Sequence, residues 1–272
     1  MEQYGIPWWK KLTMSVISGI TRRIFSHKIA RTLLTVLLMG VLWFSASMVS
    51  YRVFTHGADH RDFYPRWAGV RLLLEGNRDL YSETATGLIQ MDLYGEHLPP
   101  NRDQQGFAYP AFLAVVLLPF ALIPDVEVAT AAFQGFSILL FVTTLYVFRQ
   151  DRRGGYVFWL VALLFWQFTV LVIFQGQVTV LLLAALGLGW AFFERQRDWA
   201  SGAVLALALV KPQLTVIPML ILLILAMRAR RWRVWYGFAA GALVLSAGSL
   251  LMAGWWVPGW LDALGRYAGY AK

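Results

Sequence analysis

Long apolar runs separated by short polar connectors make up most of the chain, and one polar stretch, roughly Thr55 to Gly106, interrupts them. The run from Thr32 to Phe54 is long enough to cross a hydrocarbon core of about 30 Å. Ahead of it, residues 1–31 intersperse Trp8, Trp9, Met14, Val16, Ile17, Ile20, Ile24 and Phe25 with Lys10, Lys11, Arg22, Arg23, Lys28 and Arg31. That mixture predicts a helix lying on the cytoplasmic membrane surface, and it has no small-residue cleavage site of the kind that ends a signal peptide. Further spans are predicted at Val126–Phe148, Tyr156–Ile173, Val178–Phe193 and Val234–Met252, with a hairpin tip at Phe174-Gln175-Gly176-Gln177.

Two runs are irregular. Between Trp199 and Met227 the apolar pattern breaks at Lys211-Pro212-Gln213, leaving arms of about eleven and fourteen residues, or roughly 16 and 21 Å. Neither arm spans fully, so the tip is expected in the outer part of the membrane, where irregular backbone needs protein or water around it. Tyr109–Pro124 is short and carries Pro110, Pro119 and Pro124, which predicts a half-helix dipping in from the outer face, the alternative being a full span that breaks the charge rule. The sum is an all-α polytopic bundle with about seven crossings plus half-helices. Its divisions are a basic interfacial segment over 1–31, a first membrane helix over 32–54, an extracytoplasmic loop over 55–108 and a bundle over 109–272.

Composition agrees with this reading. Of 272 residues, 58% are hydrophobic and 14% charged, against about 25% charged in soluble domains. Thirteen Trp, eighteen Phe and eleven Tyr suit aromatic belts at the membrane interfaces. The net charge is +9, yet the stretch from Thr55 to Gly106 holds eight of the fifteen acids and five arginines, a balance of −3 that leaves +12 on the rest. The surplus sits near the amino terminus and at Arg149/Arg152/Arg153, Arg195/Arg197 and Arg228/Arg230/Arg231/Arg233. Such a distribution orients helices with the amino terminus inside and binds anionic lipid; it argues against nucleic acid. There is no cysteine, and the four histidines stand in no metal-ligand spacing, so no protein-built metal site is expected.

Within the polar loop, Arg66–Gly76 is amphipathic, with Trp67, Val70 and Leu74 on one stripe and Gly76 as a stop. Ser82–Leu93 is a second, weaker amphipathic stretch. Asp62 lies four residues before Arg66, where it is expected at the membrane surface and in position to cap that helix. The predicted topology brings three elements to the outer face: this loop, the Gly176-Gln177 tip and the Lys211-Pro212 tip. An ionisable residue between two undersized half-spans, as Lys211 is, marks a candidate functional site.

These residues resemble a known family. Asp62-Phe63, then Trp67 through Gly76, then Leu80-Tyr81 look like the start of glycosyltransferase family 87. The resemblance continues through Tyr109-Pro110-Ala111, Leu118 to Pro124, Gly176-Gln177, Ala200-Ser201-Gly202 and Lys211-Pro212. The family usually has Tyr-Pro-Pro where this chain has Tyr109-Pro110-Ala111, and its members generally carry further membrane helices beyond the point where this chain ends.

The resemblance implies the GT-C fold and a membrane enzyme of the bacterial plasma membrane. Such an enzyme moves a mannose-type hexose from a polyprenyl-phosphate sugar to an extracytoplasmic glycolipid or glycan, with inversion. It implies no cofactor, the lipid-linked sugar being a substrate, and leaves room for a partner membrane subunit. The usual base in such enzymes is an acid after the first membrane helix, here Asp62 with Asp59 as the local alternative. For the donor phosphate Lys211 comes first, then Arg61, Arg66 and Arg266. Tyr109, at the expected start of the half-helix, would aim N–H groups at an anion, and Gln177 would hydrogen-bond sugar or phosphate. The competing class is a non-catalytic transporter or partner subunit in envelope glycan assembly.

Overall fold

The computed structural model describes residues 8–55, 62–100, 102–149 and 166–270. These form an all-α membrane bundle, and no strand occurs among them. Helix α1 runs without a break from Trp8 to Ser50 and ends in one wide turn at Tyr51–Thr55. The remaining helices are α2 (Tyr64–Leu74), α3 (Glu83–Tyr94), α4 (Phe112–Ala121), α5 (Val126–Arg149), α6 (Trp166–Phe174), α7 (Thr179–Glu194), α8 (Asp198–Leu205, extended by a 3₁₀ segment Ala206–Val210), α9 (Pro212–Arg228), α10 (Trp232–Ala253) and α11 (Val257–Tyr270).

Among the described residues, three helical stretches are long and apolar enough to cross a membrane: Ile29–Val53, Val126–Val147 and Trp232–Ala253. Four shorter apolar helices accompany them: Phe112–Ala121, Thr179–Glu194, Asp198–Val210 and Pro212–Arg228. Along α1, Leu33, Val36, Leu37, Val41 and Phe44 are all more than half exposed. In water such a row would be an aggregation hazard; on a membrane helix it is the lipid face. Among the described side chains of α1, the last turns dock. There the Trp43 indole donates to the Ala132 carbonyl at 2.9 Å, and a Cβ on Gly135 would lie 2.7 Å from the Ser47 nitrogen.

Small residues set the tightest crossing, between α8 and α10. A Cβ on Gly202 would lie 1.9 Å from the Val234 carbonyl oxygen and 2.5 Å from the Phe238 nitrogen, and one on Gly237 would lie 2.3 Å from the Trp199 oxygen. Between membrane helices, where apolar burial gives little drive, such close backbone approach supplies the packing. The basic end of these helices is locked by Arg231. Its guanidinium donates to Asp198 Oδ1 from Nε at 3.0 Å and from Nη2, and to the Phe193 carbonyl, while it lies 3.8 Å over the Phe193 ring. Arg231 thus ties together the end of α7 and the starts of α8 and α10.

Several local readings need correction. α2 is not a surface helix. Tyr64 through Val70 are all buried, the buried stripe continues to Leu73 and not to Leu74, and Leu74 is 43% exposed. The reason is that α2 packs chiefly on α4, with α3 beside it and lesser contact to α5 and α10, and the Trp67 indole donates to the Ile123 carbonyl. Gly76 does stop it, at φ +94. α3 begins at Glu83 with the Ser82 hydroxyl accepting from the Ala85 N–H and ends at Gly95, φ +71. The arms on either side of Lys211 are longer than the apolar pattern suggests, reaching back to Asp198 and on to Arg228. Terminal polar residues continue the backbone helix beyond its hydrophobic face.

Candidate active site

At the end of the bundle opposite Arg231, four elements meet: the start of α2, the α6–α7 tip, the segment before α4, and the junction between α8 and α9. Phe63, Phe107, Ala111, Phe133, Val178 and Val210 belong to one buried cluster there, which draws together the chain neighbours Asp62, Tyr109, Gln177 and Lys211.

The tip needs a left-handed residue, and Gly176 supplies it at φ +63. A Cβ at that position would also lie 2.7 Å from Phe63 Cβ, so the tip rests directly on the residue after Asp62. The Gln177 amide donates to Asp62 Oδ2 at 2.7 Å. Asp62 does not cap α2, whose first position follows Phe63 and takes no side-chain hydrogen bond. The carboxylate is therefore held from across the bundle and not by its own helix.

Cations gather on Tyr109. The Arg66 Nη2 donates to the Tyr109 hydroxyl at 2.8 Å, with the guanidinium carbon 4.9 Å from the ring centroid. The Lys211 ammonium lies 5.4 Å from the same ring. Arg66 is 9% exposed, and its Nη1 is buried without a hydrogen-bond partner among the described residues. A buried guanidinium nitrogen left unpaired is costly, and an anion would relieve that cost. The helix expected to start at Tyr109 begins at Phe112, so Tyr109 contributes its ring and hydroxyl to this site.

Lys211 sits where the helix is broken. Proline disfavours helical geometry in the residue before it, and Lys211 adopts φ −142, ψ 71. Pro212 has no N–H for the Ala208 carbonyl four residues back. The Thr215 hydroxyl replaces it, donating to the Ala208 oxygen at 2.6 Å and to the Lys211 oxygen at 3.1 Å. Thr215→Val keeps the shape and removes this donor, and the expected result is a loss of about 1–3 kcal/mol of stability. A lowered Tm of the purified protein in detergent measures it; an unchanged Tm would show that the Ala208 carbonyl does not need the hydroxyl.

Two positioning residues escape a reading of motifs. Thr215 is one. Gln134, fully buried, is the other: its Oε1 accepts from the Ser50 hydroxyl at 2.7 Å and its Nε2 donates to the Phe174 carbonyl at 2.7 Å. It fixes the tip to α1 and α5. The signal was present in the buried polar set Thr130, Gln134 and Ser137 along an apolar helix. Of the other predicted residues, Asp59 and Arg61 lie outside the described residues. Arg266 stands apart from Lys211's ring contact and donates to the Tyr81 carbonyl. Burial pushes the Tyr81 phenol well above its ordinary range, so it stays protonated and donates to the Tyr109 carbonyl at 2.7 Å. No group of three His, Asp or Glu residues able to hold a metal occurs among the described residues.

Residues 107–270 match the model of glycosyltransferase family 87, a segment that includes Tyr109, Gln177, Lys211 and Arg266 and excludes Asp62 and Arg66. No curated protein and no solved structure matches. With more than half of its length matched, on helices apolar enough for a bilayer, the chain belongs to glycosyltransferase family 87, a family of membrane glycosyltransferases.

Proposed function

We propose that this protein transfers a hexose, of mannose type, from a polyprenyl-phosphate donor to a glycolipid or glycan at the outer face of a bacterial plasma membrane, on a GT-C scaffold. The observation that carries the reading is the occurrence together of a carboxylate held by the tip, Asp62, and, four residues on in the chain, a buried guanidinium, Arg66, with one nitrogen unpartnered among the described residues.

The chemistry divides between them. The acceptor hydroxyl oxygen attacks the anomeric carbon while Asp62 takes its proton. The bond from that carbon to the phosphate oxygen breaks, and the electron pair leaves with the lipid phosphate. Charge growing on that phosphate is met by Arg66 Nη1 and the Lys211 ammonium. Gln177 holds Asp62 through Oδ2; no described residue bonds Oδ1, which is left to receive the proton. Attack opposite the departing phosphate inverts the anomeric carbon. Arg66 takes precedence over Lys211 because, among the described residues, it combines burial with an unpaired donor.

The charge pattern supports an outward-facing site. Arg195, Arg228, Arg230, Arg231 and Arg233 sit at the far ends of α7, α9 and α10, one helix length of about 25 Å from Lys211, and the positive-inside rule puts that end in the cytoplasm.

Arg66→Gln tests the phosphate assignment. Loss of hydrogen bonds to a charged group, about 1.5–3 kcal/mol, is expected to raise the apparent KM for polyprenyl-phosphate mannose by roughly 10- to 150-fold in reconstituted membranes. An unchanged donor KM removes Arg66 from the phosphate site. Absence of any transfer by wild-type protein from that donor to a range of glycan acceptors would overturn the donor class.

A further inference from the structure

A concavity lies beside the site. α3, the segment 97–108 and the end of α11 enclose a cleft of about 740 Å³, within the roughly 300–1,000 Å³ of small-molecule sites. α11 closes one side, its Trp260 indole donating to the Ala108 carbonyl at 3.3 Å and its Gly259 lying against Tyr81.

The lining combines apolar side chains with polar groups, and its charges are of both signs. Glu83, Asp103 and Arg266 surround it with Thr84, His97 and Tyr267. His97 and Tyr267 present exposed rings, Tyr267 being 42% exposed. Two flat rings with hydroxyl, imidazole, carboxylate and guanidinium groups match a polyol: sugar faces lie on rings, and sugar hydroxyls both give and accept hydrogen bonds. Opposed charges in one cleft disfavour a phosphate or other anion, in contrast to the cations around Tyr109.

The cleft also shares a wall with the cation cluster. Arg266 donates to the Tyr81 carbonyl, and the Tyr81 hydroxyl donates to the Tyr109 carbonyl. The Tyr81 and Phe107 rings stand 6.0 Å apart, and those of Phe107 and Tyr109 stand 6.4 Å apart. Two ring steps therefore separate the cleft from the ring that carries Arg66 and Lys211.

We propose that this cleft is a subsite for a neutral oligosaccharide, the glycan portion of the acceptor, with Arg266 serving the acceptor and not the donor phosphate. The proposal rests on the transferase reading for its role, though the binding itself does not.

The test uses the full-length protein in nanodiscs and two variants, Thr84→Trp, which fills the cleft from an exposed helix position, and His97→Ala. Saturation-transfer NMR with mannotriose needs no turnover. The expected signal in wild type falls at least about tenfold in Thr84→Trp, and inorganic phosphate does not compete. In transfer assays with a mannotriose-headed acceptor, the acceptor KM rises about tenfold in both variants, while donor KM moves little by comparison. Equal mannotriose signals in wild type and Thr84→Trp, or competition by phosphate, would overturn the proposal. If wild type binds mannotriose in the cleft but transfers no sugar, the transferase reading fails and the subsite stands.

Discussion

Asp62→Asn is expected to lower kcat for sugar transfer by about 10²- to 10⁴-fold, the range of a positioned general base, with donor KM nearly unchanged. The substitution isolates the proton transfer. Asn presents an oxygen to the Gln177 amide in place of Oδ2, so the 2.7 Å contact that holds residue 62 against the tip retains its acceptor. What disappears is basicity. A control follows from the same contact: Gln177→Ala releases the carboxylate without removing it, and the fall in kcat should be smaller. Mass-spectrometric quantification of product in reconstituted membranes reads both. Full activity in Asp62→Asn would move the base elsewhere in the loop, with Asp59 the nearest acid in the sequence.

The contrast between Asp62 and its neighbours tells how much the sequence could reveal. Most apolar helices, the break at Lys211, the Gly176-Gln177 tip and the stop at Gly76 were legible, because proline, glycine and apolar periodicity act locally; the last helix, Val257–Tyr270, was not expected. The convergence of loop, tip and break on one end also followed from charge placement. Contacts were not legible. Nothing in the spacing tells that Arg66 would turn inward onto Tyr109, since the amphipathic pattern of α2 suits a surface helix equally well. The partner on its other side is α4, and the Trp67 indole on the Ile123 carbonyl is made only when both are docked. Asp62 likewise looked like a cap for α2 because capping is local; a glutamine more than a hundred residues later outcompetes that role.

Gly202→Ala carries the largest expected effect on folding. Its new methyl would sit 1.9 Å from the Val234 oxygen and 2.5 Å from the Phe238 nitrogen. Both are backbone atoms of α10 and cannot rotate aside, so α8 and α10 must separate. Overpacking usually costs about 1–3 kcal/mol and sometimes more, and here it also separates Gly237 from the Trp199 carbonyl. The expected outcome is a Tm lowered by many degrees or loss of monodisperse protein on size-exclusion chromatography. Gly40→Ala provides the opposite case: no atom lies within 4 Å of its Cβ position, and alanine stabilises a helix interior by about 0.5–1 kcal/mol. A Tm for Gly202→Ala equal to that of Gly40→Ala would mean that the crossing is looser than described.

Gln134 has an orientation as well as a position. Its nitrogen must face the Phe174 carbonyl, so the amide cannot be turned over without setting oxygen against the Phe174 carbonyl oxygen, whereas the Ser50 hydroxyl can give or accept. Glutamate has nearly the same volume and keeps the Ser50 side, yet as a carboxylate it has no proton for Phe174. One nitrogen atom, remote from any substrate, therefore sets the height of the tip that holds Asp62. The lever for detuning the site without entering it is an isosteric change in the middle of α5.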